Sequence, residues 1–203
     1  MPAGSTRAPR RLPPEQRREQ LERVALEVAA AQGYAGLSLD EVAERAGVTR
    51  NLLYHYFPRG KLDVFLAAAR VAGRELTDDW VTDADIPLDE RLAANFARFA
   101  EHAGEPSPAW LVHRQTHSAA EPEIVDAAER YRQRVISSVA LNHFGTEDPG
   151  PLARAVLRAY LSFAETALDQ GREQGLDRDA LLDVLGRTLV AAVDAVRAHG
   201  APA

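Results

Sequence analysis

An all-α fold is predicted by three features of the sequence. Alanine, leucine, arginine and glutamate dominate while β-branched residues other than valine are few, apolar residues recur at helical spacing, and no alternating strand pattern occurs. At 203 residues the chain can bury a substantial core. It has no cysteine, so neither a disulfide framework nor a thiolate metal site is available. No run of eighteen or more apolar residues exists, and Arg, Pro and Glu stand where a signal peptide would carry its apolar stretch. A soluble, unprocessed cytoplasmic protein with no membrane association is expected.

The net charge of -6 argues against a generic nucleic-acid binder, so the distribution matters more than the total. Residues 1–62 hold 10 Lys and Arg against 7 Asp and Glu, whereas residues 63–203 hold 14 against 23. A mildly basic module joined to an acidic one is the simplest partition.

Residues 1–14 are rich in Pro, Gly, Ser and Arg without apolar periodicity, which predicts a disordered basic arm carrying Arg7, Arg10 and Arg11. A helix is expected from Glu15 to Gln32, with Leu21, Val24, Ala25 and Val28 on its buried stripe and Gly33 ending it. Ser38-Leu39-Asp40-Glu41 reads as a capping box in which serine hydroxyl and glutamate carboxylate satisfy each other's backbone N–H. It opens a short helix ended by Gly47, and Thr49 caps the next one. Beyond Phe57-Pro58-Arg59-Gly60 a connecting helix is expected over 61–81, with Val64, Phe65, Ala68, Ala72, Leu76 and Trp80 along one side. Residues 83–87 are a linker, and five more helices are expected at 88–103, 107–119, 122–144, 150–173 and 178–198.

Two short helices joined by a glycine turn form a helix-turn-helix, whose second member can enter the major groove. Advancing 100° per residue places Arg50, Asn51, Tyr54 and His55 within an arc of roughly 140°. Leu52, Leu53, Tyr56 and Phe57 fall opposite, so one face is apolar and aromatic and the other carries hydrogen-bonding groups. Arg can pair with guanine, Asn with adenine, and Tyr or His with phosphate or base edges. Lys61 near the start of the next helix suits a phosphate contact beside free backbone N–H groups.

Residues 38–61, SLDEVAERAGVTRNLLYHYFPRGK, resemble the DNA-binding signature of the TetR family. The resemblance rests on Ala46-Gly47-Val48, the cap Thr49, Leu53-Tyr54-His55-Tyr56-Phe57 and the downstream lysine, and the helix at 15–32 fits the family's first helix. The family usually has its lysine three residues after the phenylalanine. Here Gly60 takes that place and Lys61 follows, consistent with a one-residue insertion in the Arg59-Gly60 turn. The resemblance implies DNA contacts by Thr49, Arg50, Asn51, Tyr54 and His55, backbone contacts by Ser38 and Tyr56, and a phosphate contact by Lys61 shared with Arg59.

It further implies a helix-turn-helix DNA-binding domain at 15–62 and a helical regulatory and dimerisation domain at 63–203. The implied protein is a homodimeric repressor that binds a palindromic double-stranded operator and is released by a small-molecule effector of unknown identity. Helices 150–173 and 178–198 carry apolar stripes wide enough to bury two faces, which suits a dimer interface. Phe96, Phe99, Trp110, His113, His117, Tyr131 and Phe163 are candidates for the effector pocket, since such pockets are apolar with a few polar groups.

His113 and His117 also have the i, i+4 spacing of a helical metal pair, but Arg114 stands where a metalloprotease has its glutamate. A helical metal-dependent enzyme using these histidines is one alternative, and an unregulated helix-turn-helix scaffold is the other. No phosphate loop, nucleophile elbow or paired-carboxylate motif occurs, so no catalytic residue, resident metal or cofactor is expected.

Overall fold

The computed structural model describes residues 12–78, 80, 83, 85–104 and 107–199, and among these every regular element is a helix. The order is α1 (Pro14–Gly36), α2 (Leu39–Arg45), α3 (Arg50–Tyr56), α4 (Lys61–Glu75), α5 (Leu88–Gly104), α6 (Pro108–Thr116), α7 (Pro122–Phe144), α8 (Gly150–Gln174) and α9 (Arg178–Ala198). The basic arm expected over residues 1–14, with Arg7, Arg10 and Arg11, lies almost wholly outside the described residues.

Capping chemistry sets the starts of four helices. Ser38, Thr49, Ser107 and Asp177 each accept a backbone N–H of the first turn through a side-chain oxygen. The capping box is only half formed. Ser38 Oγ accepts from the Glu41 N–H at 3.2 Å, but the Ser38 N–H donates to Gln32 Oε1 at 2.9 Å and not to Glu41. Gln32 from the end of α1 reaches the same N–H, and its amide nitrogen donates to the Glu41 carboxylate. The glutamate is also held by Arg45 one turn later. A tertiary contact has thus replaced the local one.

α1 breaks at Gly33 and runs one further turn to Gly36, so its first segment ends where the sequence indicates. Gly47 takes φ 63° in the turn between α2 and α3, and Gly60 takes φ 61° ahead of α4. At Gly60 any side chain would also press on Tyr54 and Leu39, so the residue that displaces the lysine by one position is needed for both its backbone and its small size.

α4 is shorter than the expected 61–81. It stops at Glu75, and Leu76–Asp78 form a turn in which both Thr77 and Asp78 donate their N–H to the Arg74 carbonyl. Thr77 Oγ1 returns to the Gly73 carbonyl at 2.8 Å. Short polar side chains compete with helical hydrogen bonding here, and an apolar period extended through Trp80 does not reveal it. α6 likewise ends at Thr116, with His117 as its C-cap.

α1 packs on both α4 and α6, and α4 packs on α6 and α7. The principal apolar core is continuous from Leu21 and Val28 through Leu53, Phe57 and Phe65 to Trp110, Leu161 and Leu185. It crosses the junction between residues 62 and 63 without a break. A second cluster of Ile136, Phe144, Leu157, Leu189 and Val193 joins α7, α8 and α9 at the far end.

His143 is buried beside that second cluster, and its carbonyl accepts a hydrogen bond from Arg197. Burial, reinforced by the Arg197 charge, lowers its imidazole to about 4. A base lowered by folding binds its proton more readily when unfolded. Stability should therefore be complete above about pH 6.5 and decline as pH falls towards 4, by on the order of 2 kcal/mol from this residue. Urea unfolding across pH 7.5 to 4 checks this, and His143→Gln should flatten the decline.

Candidate nucleic-acid interface and regulatory core

α2 and α3 have seven residues each, too short to persist alone, and both are anchored by their apolar sides. Val42, Ala43 and Ala46 are buried from α2 and its turn, and Leu53 and Phe57 from α3 and its end. Arg50, Asn51, Tyr54 and His55 are all exposed on the opposite arc, Tyr54 by 40%. Leu52 and Tyr56 are half-buried at its edge.

The exposed arc is already organised. Arg50 Nη1 donates to both Asp40 carboxylate oxygens, at 2.7 and 2.9 Å, and its guanidinium lies 5.8 Å from the Tyr54 ring centre. His55 meets Tyr56 edge to face at 5.4 Å. The Tyr56 hydroxyl donates to the Pro14 carbonyl at 3.4 Å, with the Arg18 guanidinium over its ring. Thr49 is spent on capping α3 and Ser38 on capping α2, yet Thr49 remains exposed.

Lys61 and Arg59 sit differently from what a free phosphate contact suggests. Lys61 Nζ donates to the Ala35 carbonyl at 2.5 Å and lies 5.6 Å from the Tyr34 ring centre. The Arg59 side chain is paired with Asp63 at 2.8 Å and with Glu123 at 3.3 Å. Both cations are tied to neighbouring elements, because the Gly60 turn brings them against the end of α1 and the start of α7.

The candidate pocket residues separate into three groups. Phe96 and Phe99 line an apolar cavity of about 60 Å³ between α5, α7 and α8, together with Val135, Ile136, Leu157 and Leu161. Its inner wall also carries Trp80, Asn95, Asn142 and Tyr160. Trp80 Nε1 and Asn142 Oδ1 are buried without a hydrogen-bond partner, whereas the Tyr160 hydroxyl donates to the Leu185 carbonyl at 2.8 Å. Leu92, Phe96 and Leu189 are shared with an open groove of about 660 Å³ between α5 and α9.

Trp110, His113, His117 and Tyr131 lie outside that cavity and form a second cluster. Trp110 is 1% exposed, stacks edge to face on Phe99 at 5.3 Å, and donates to Asp169 Oδ1 at 3.3 Å. The His113 ring lies 4.3 Å from Tyr131 and 4.8 Å from His117. Phe163 belongs to neither group. It is 45% exposed on the outer face of α8, because Leu161, Ala164 and Leu168 take the inward positions around it.

The second cluster centres on Glu165, a carboxylate 1% exposed that the sequence reading missed. His113 Nε2 is 2.8 Å from Oε1, while Arg114 Nη1 at 3.1 Å and His117 Nε2 at 3.3 Å face Oε2. Burial by itself would raise this carboxyl, but the two imidazoles facing it hold it well below the usual carboxylate range. Burial works the other way on His113, lowering its imidazole against the pull of Glu165. A signal for Glu165 exists in the sequence: it is the one charged residue on the stripe Leu161, Ala164, Leu168.

A helix-turn-helix head joined to a larger helical body is the class these features define. Residues 23–68 match the model of the bacterial regulatory proteins of the tetR family. Over 66 residues, 32% of this chain, the sequence is 46% identical to the HTH-type transcriptional activator FasR of Mycolicibacterium smegmatis. The match spans only 30% of that relative's length. The crystal structure of a tetR-family transcriptional regulator from Streptomyces coelicolor superimposes with a TM-score of 0.76 at 27% identity, covering 93% of this chain and 85% of that one. A Saccharomonospora viridis protein solved in complex with choline shares the fold at a TM-score of 0.64 and 19% identity, over 85% of this chain and 95% of its own. Residues 23–68 thus carry a tetR-family DNA-binding segment, and the chain as a whole shares the fold of a tetR-family regulator.

Removing one member of a buried charge cluster strands the others. Glu165→Ala should cost about 3–5 kcal/mol in urea unfolding at pH 7. A cost below about 1 kcal/mol would mean that the cluster is better solvated than its burial indicates.

Proposed function

We propose that this protein is a transcriptional repressor that binds a roughly palindromic operator as a homodimer in the cytoplasm and releases it when a small molecule enters the helical body. It acts by binding, without catalysis. Residues 15–62 form the reading head, preceded by the basic arm at 1–14, and residues 63–203 regulate and dimerise. The observation that carries this reading is the partition of α3, which shows Arg50, Asn51, Tyr54 and His55 to solvent while Leu53 and Phe57 anchor it.

Under this reading Arg50 and Asn51 read bases, with Tyr54, His55 and Thr49 at base edges or phosphates. Ser38, Tyr56, Arg59 and Lys61 serve the backbone, the last two after exchanging their present partners for phosphate. Arg50 has a similar exchange to make, from Asp40 to a guanine. Selection of genomic fragments by the full-length protein would supply the operator. Arg50→Ala and Asn51→Ala should each relax preference at one position of the half-site by about 1–3 kcal/mol. Asp40→Asn frees Arg50 and removes a negative charge from the DNA-facing surface, so it should tighten binding and steepen the salt dependence. Wild-type ratios of operator to competitor binding in both alanine variants would exclude the reading.

A homodimer is supported by the outward apolar side chains of the last two helices. Leu152 and Phe163 of α8 and Val184 and Val190 of α9 are all exposed. Single apolar side chains on a surface are ordinary, but four on two adjacent helices suit a four-helix interface. Light scattering should give twice the chain mass of 22.2 kDa. Phe163→Glu combined with Val184→Glu should give the monomer mass with the helical circular dichroism retained.

The cavity behind Phe96 suits an apolar effector. The unpartnered Trp80 indole N–H and Asn142 side-chain amide oxygen offer one donor and one acceptor inside it. At about 60 Å³ it takes only a small group, so a larger molecule must also occupy the α5/α9 groove that opens past Leu92 and Phe96. Repression relieved by such a ligand requires that operator DNA weaken ligand binding by the same factor.

A further inference from the structure

We propose that His113, His117 and Glu165 form a binding site for a divalent transition-metal ion of the zinc, cobalt or nickel kind, joining the end of α6 to the middle of α8. One ligand atom from each of these three residues lies within 4.8 Å of the others. Metal–nitrogen and metal–oxygen bonds of about 2.0–2.2 Å in a tetrahedral arrangement separate neighbouring ligand atoms by about 3.3–3.6 Å. The His113 and His117 Nε2 atoms stand 2.8 and 3.3 Å from the two oxygens of Glu165, so the carboxylate already faces both imidazoles, and the three ligand atoms must close from within 4.8 Å of one another to seat an ion.

The hydrogen-bond pattern around His117 favours a cation. Its Nδ1 is 3.1 Å from the His113 carbonyl oxygen, which accepts and can only be met by Nδ1–H. A neutral His117 therefore turns the lone pair of Nε2 towards Glu165 Oε2, placing two acceptors 3.3 Å apart. That arrangement requires a positive centre between them, either a second proton on the ring or a metal. A backbone carbonyl that fixes the tautomer is also the usual support of a metal-binding imidazole.

The surroundings fit an ion that comes and goes. The His113 and Glu165 side chains are 4% and 2% exposed, while that of His117 is 25% exposed and leaves an approach from solvent. Arg114 shares Glu165 with the histidines, but its Nε also holds Asp169 Oδ2 at 2.8 Å. The guanidinium can therefore keep Asp169 when the ion takes Glu165, and the two carboxylates outnumber the one permanent cation. Two imidazoles and one carboxylate select zinc, cobalt or nickel over magnesium or calcium. Three protein ligands leave a fourth position for water or a donor atom of a small molecule. Arg114 occupies the place after His113 where a helical zinc protease keeps its general base, so that motif is not formed here.

α6 packs directly on α1 and α4, which carry the helix-turn-helix, whereas α8 packs on α7 and α9. An ion shared by His113, His117 and Glu165 ties α6 to α8 and so biases the position of α6 against the helices that position α3. This regulatory consequence rests on the proposed DNA-binding function, but the site itself does not.

The test therefore uses the metal alone. Full-length protein freed of metal with a chelator is titrated with Co²⁺, followed by the visible absorption of the bound ion, and then with Zn²⁺ in competition. One Co²⁺ per chain, displaced by Zn²⁺, is expected, and His117→Gln should weaken binding by about 100-fold or more. His117 is partly exposed, so this variant should keep its fold, checked by circular dichroism. His199→Gln, a change at an exposed histidine outside the cluster, should bind as the wild type does. Absence of stoichiometric Co²⁺ binding, or binding equal in the wild type and His117→Gln, overturns the proposal. If metal binds as expected but no fragment of DNA is retained, the site stands and the repressor function falls.

Discussion

The contact of α1 with both α4 and α6 is the constraint on which the rest of the molecule depends. α2 and α3 are two turns each and bury only a handful of side chains, among them Val42, Ala43, Leu53 and Phe57. Such segments gain too little from their own hydrogen bonds to persist, so their placement comes from the longer helices they pack against. Leu21, Ala25, Val28 and Ala29 of α1 meet Val64, Phe65 and Ala68 of α4 in the same core, and α6 closes that core with Trp110 and Val112. Because packed interiors move between discrete arrangements and do not deform smoothly, any displacement of α6 is felt by α1 and α4 together. α3 inherits its orientation from a body it scarcely touches.

Two buried carboxylates reinforce this coupling. Glu22 on α1 faces Arg18 in its own helix and Arg70 and Arg74 on α4, at 3.5–3.6 Å. Glu165 on α8 faces His113, Arg114 and His117 on α6 and its cap. Neither arrangement is an efficient source of stability, since desolvating a carboxylate offsets most of what its partners return. Their effect is on geometry. A buried carboxylate tolerates only those helix positions that keep its partners within reach, so each one restricts the relative register of two helices more narrowly than apolar contact does.

The sequence made the helix count and most boundaries legible, because apolar period, caps and Gly or Pro breaks agreed with one another. α7 and α9 occupy the expected residues, and α8 differs by one. The head was legible in more detail, down to the exposure of Arg50, Asn51, Tyr54 and His55, since a short helix with one apolar arc has one way to sit. What escaped depended on contacts between residues far apart in the chain. Gln32 replacing Glu41 at the Ser38 N–H, Asp40 holding Arg50, and Arg59 meeting Glu123 all require knowing which elements are neighbours. The same holds for the pocket, where aromatic character grouped Phe163 with Phe96 although α8 turns the former outward and the latter lines a cavity. Polar residues in apolar stripes, namely Asn95, Asn142 and Glu165, were the better signal for the interior sites.

The ion pair between Arg50 and Asp40 adds a further step to how such a surface discriminates. Arg50 is the side chain on the exposed arc best suited to a guanine, yet it is held within the head, across the turn from α2. On a highly exposed pair the stabilisation is small, so leaving Asp40 costs little when a guanine offers two acceptors in the right geometry. On the proposed role, where the base offers no such acceptors Arg50 does better by keeping Asp40, whose exposed carboxylate disfavours the negative backbone of a duplex. With Arg50 in that proposed DNA-reading role, the pair weakens binding to a wrong sequence more than to the right one. On that role, specificity draws on what Asp40 withholds as well as on what Arg50 donates.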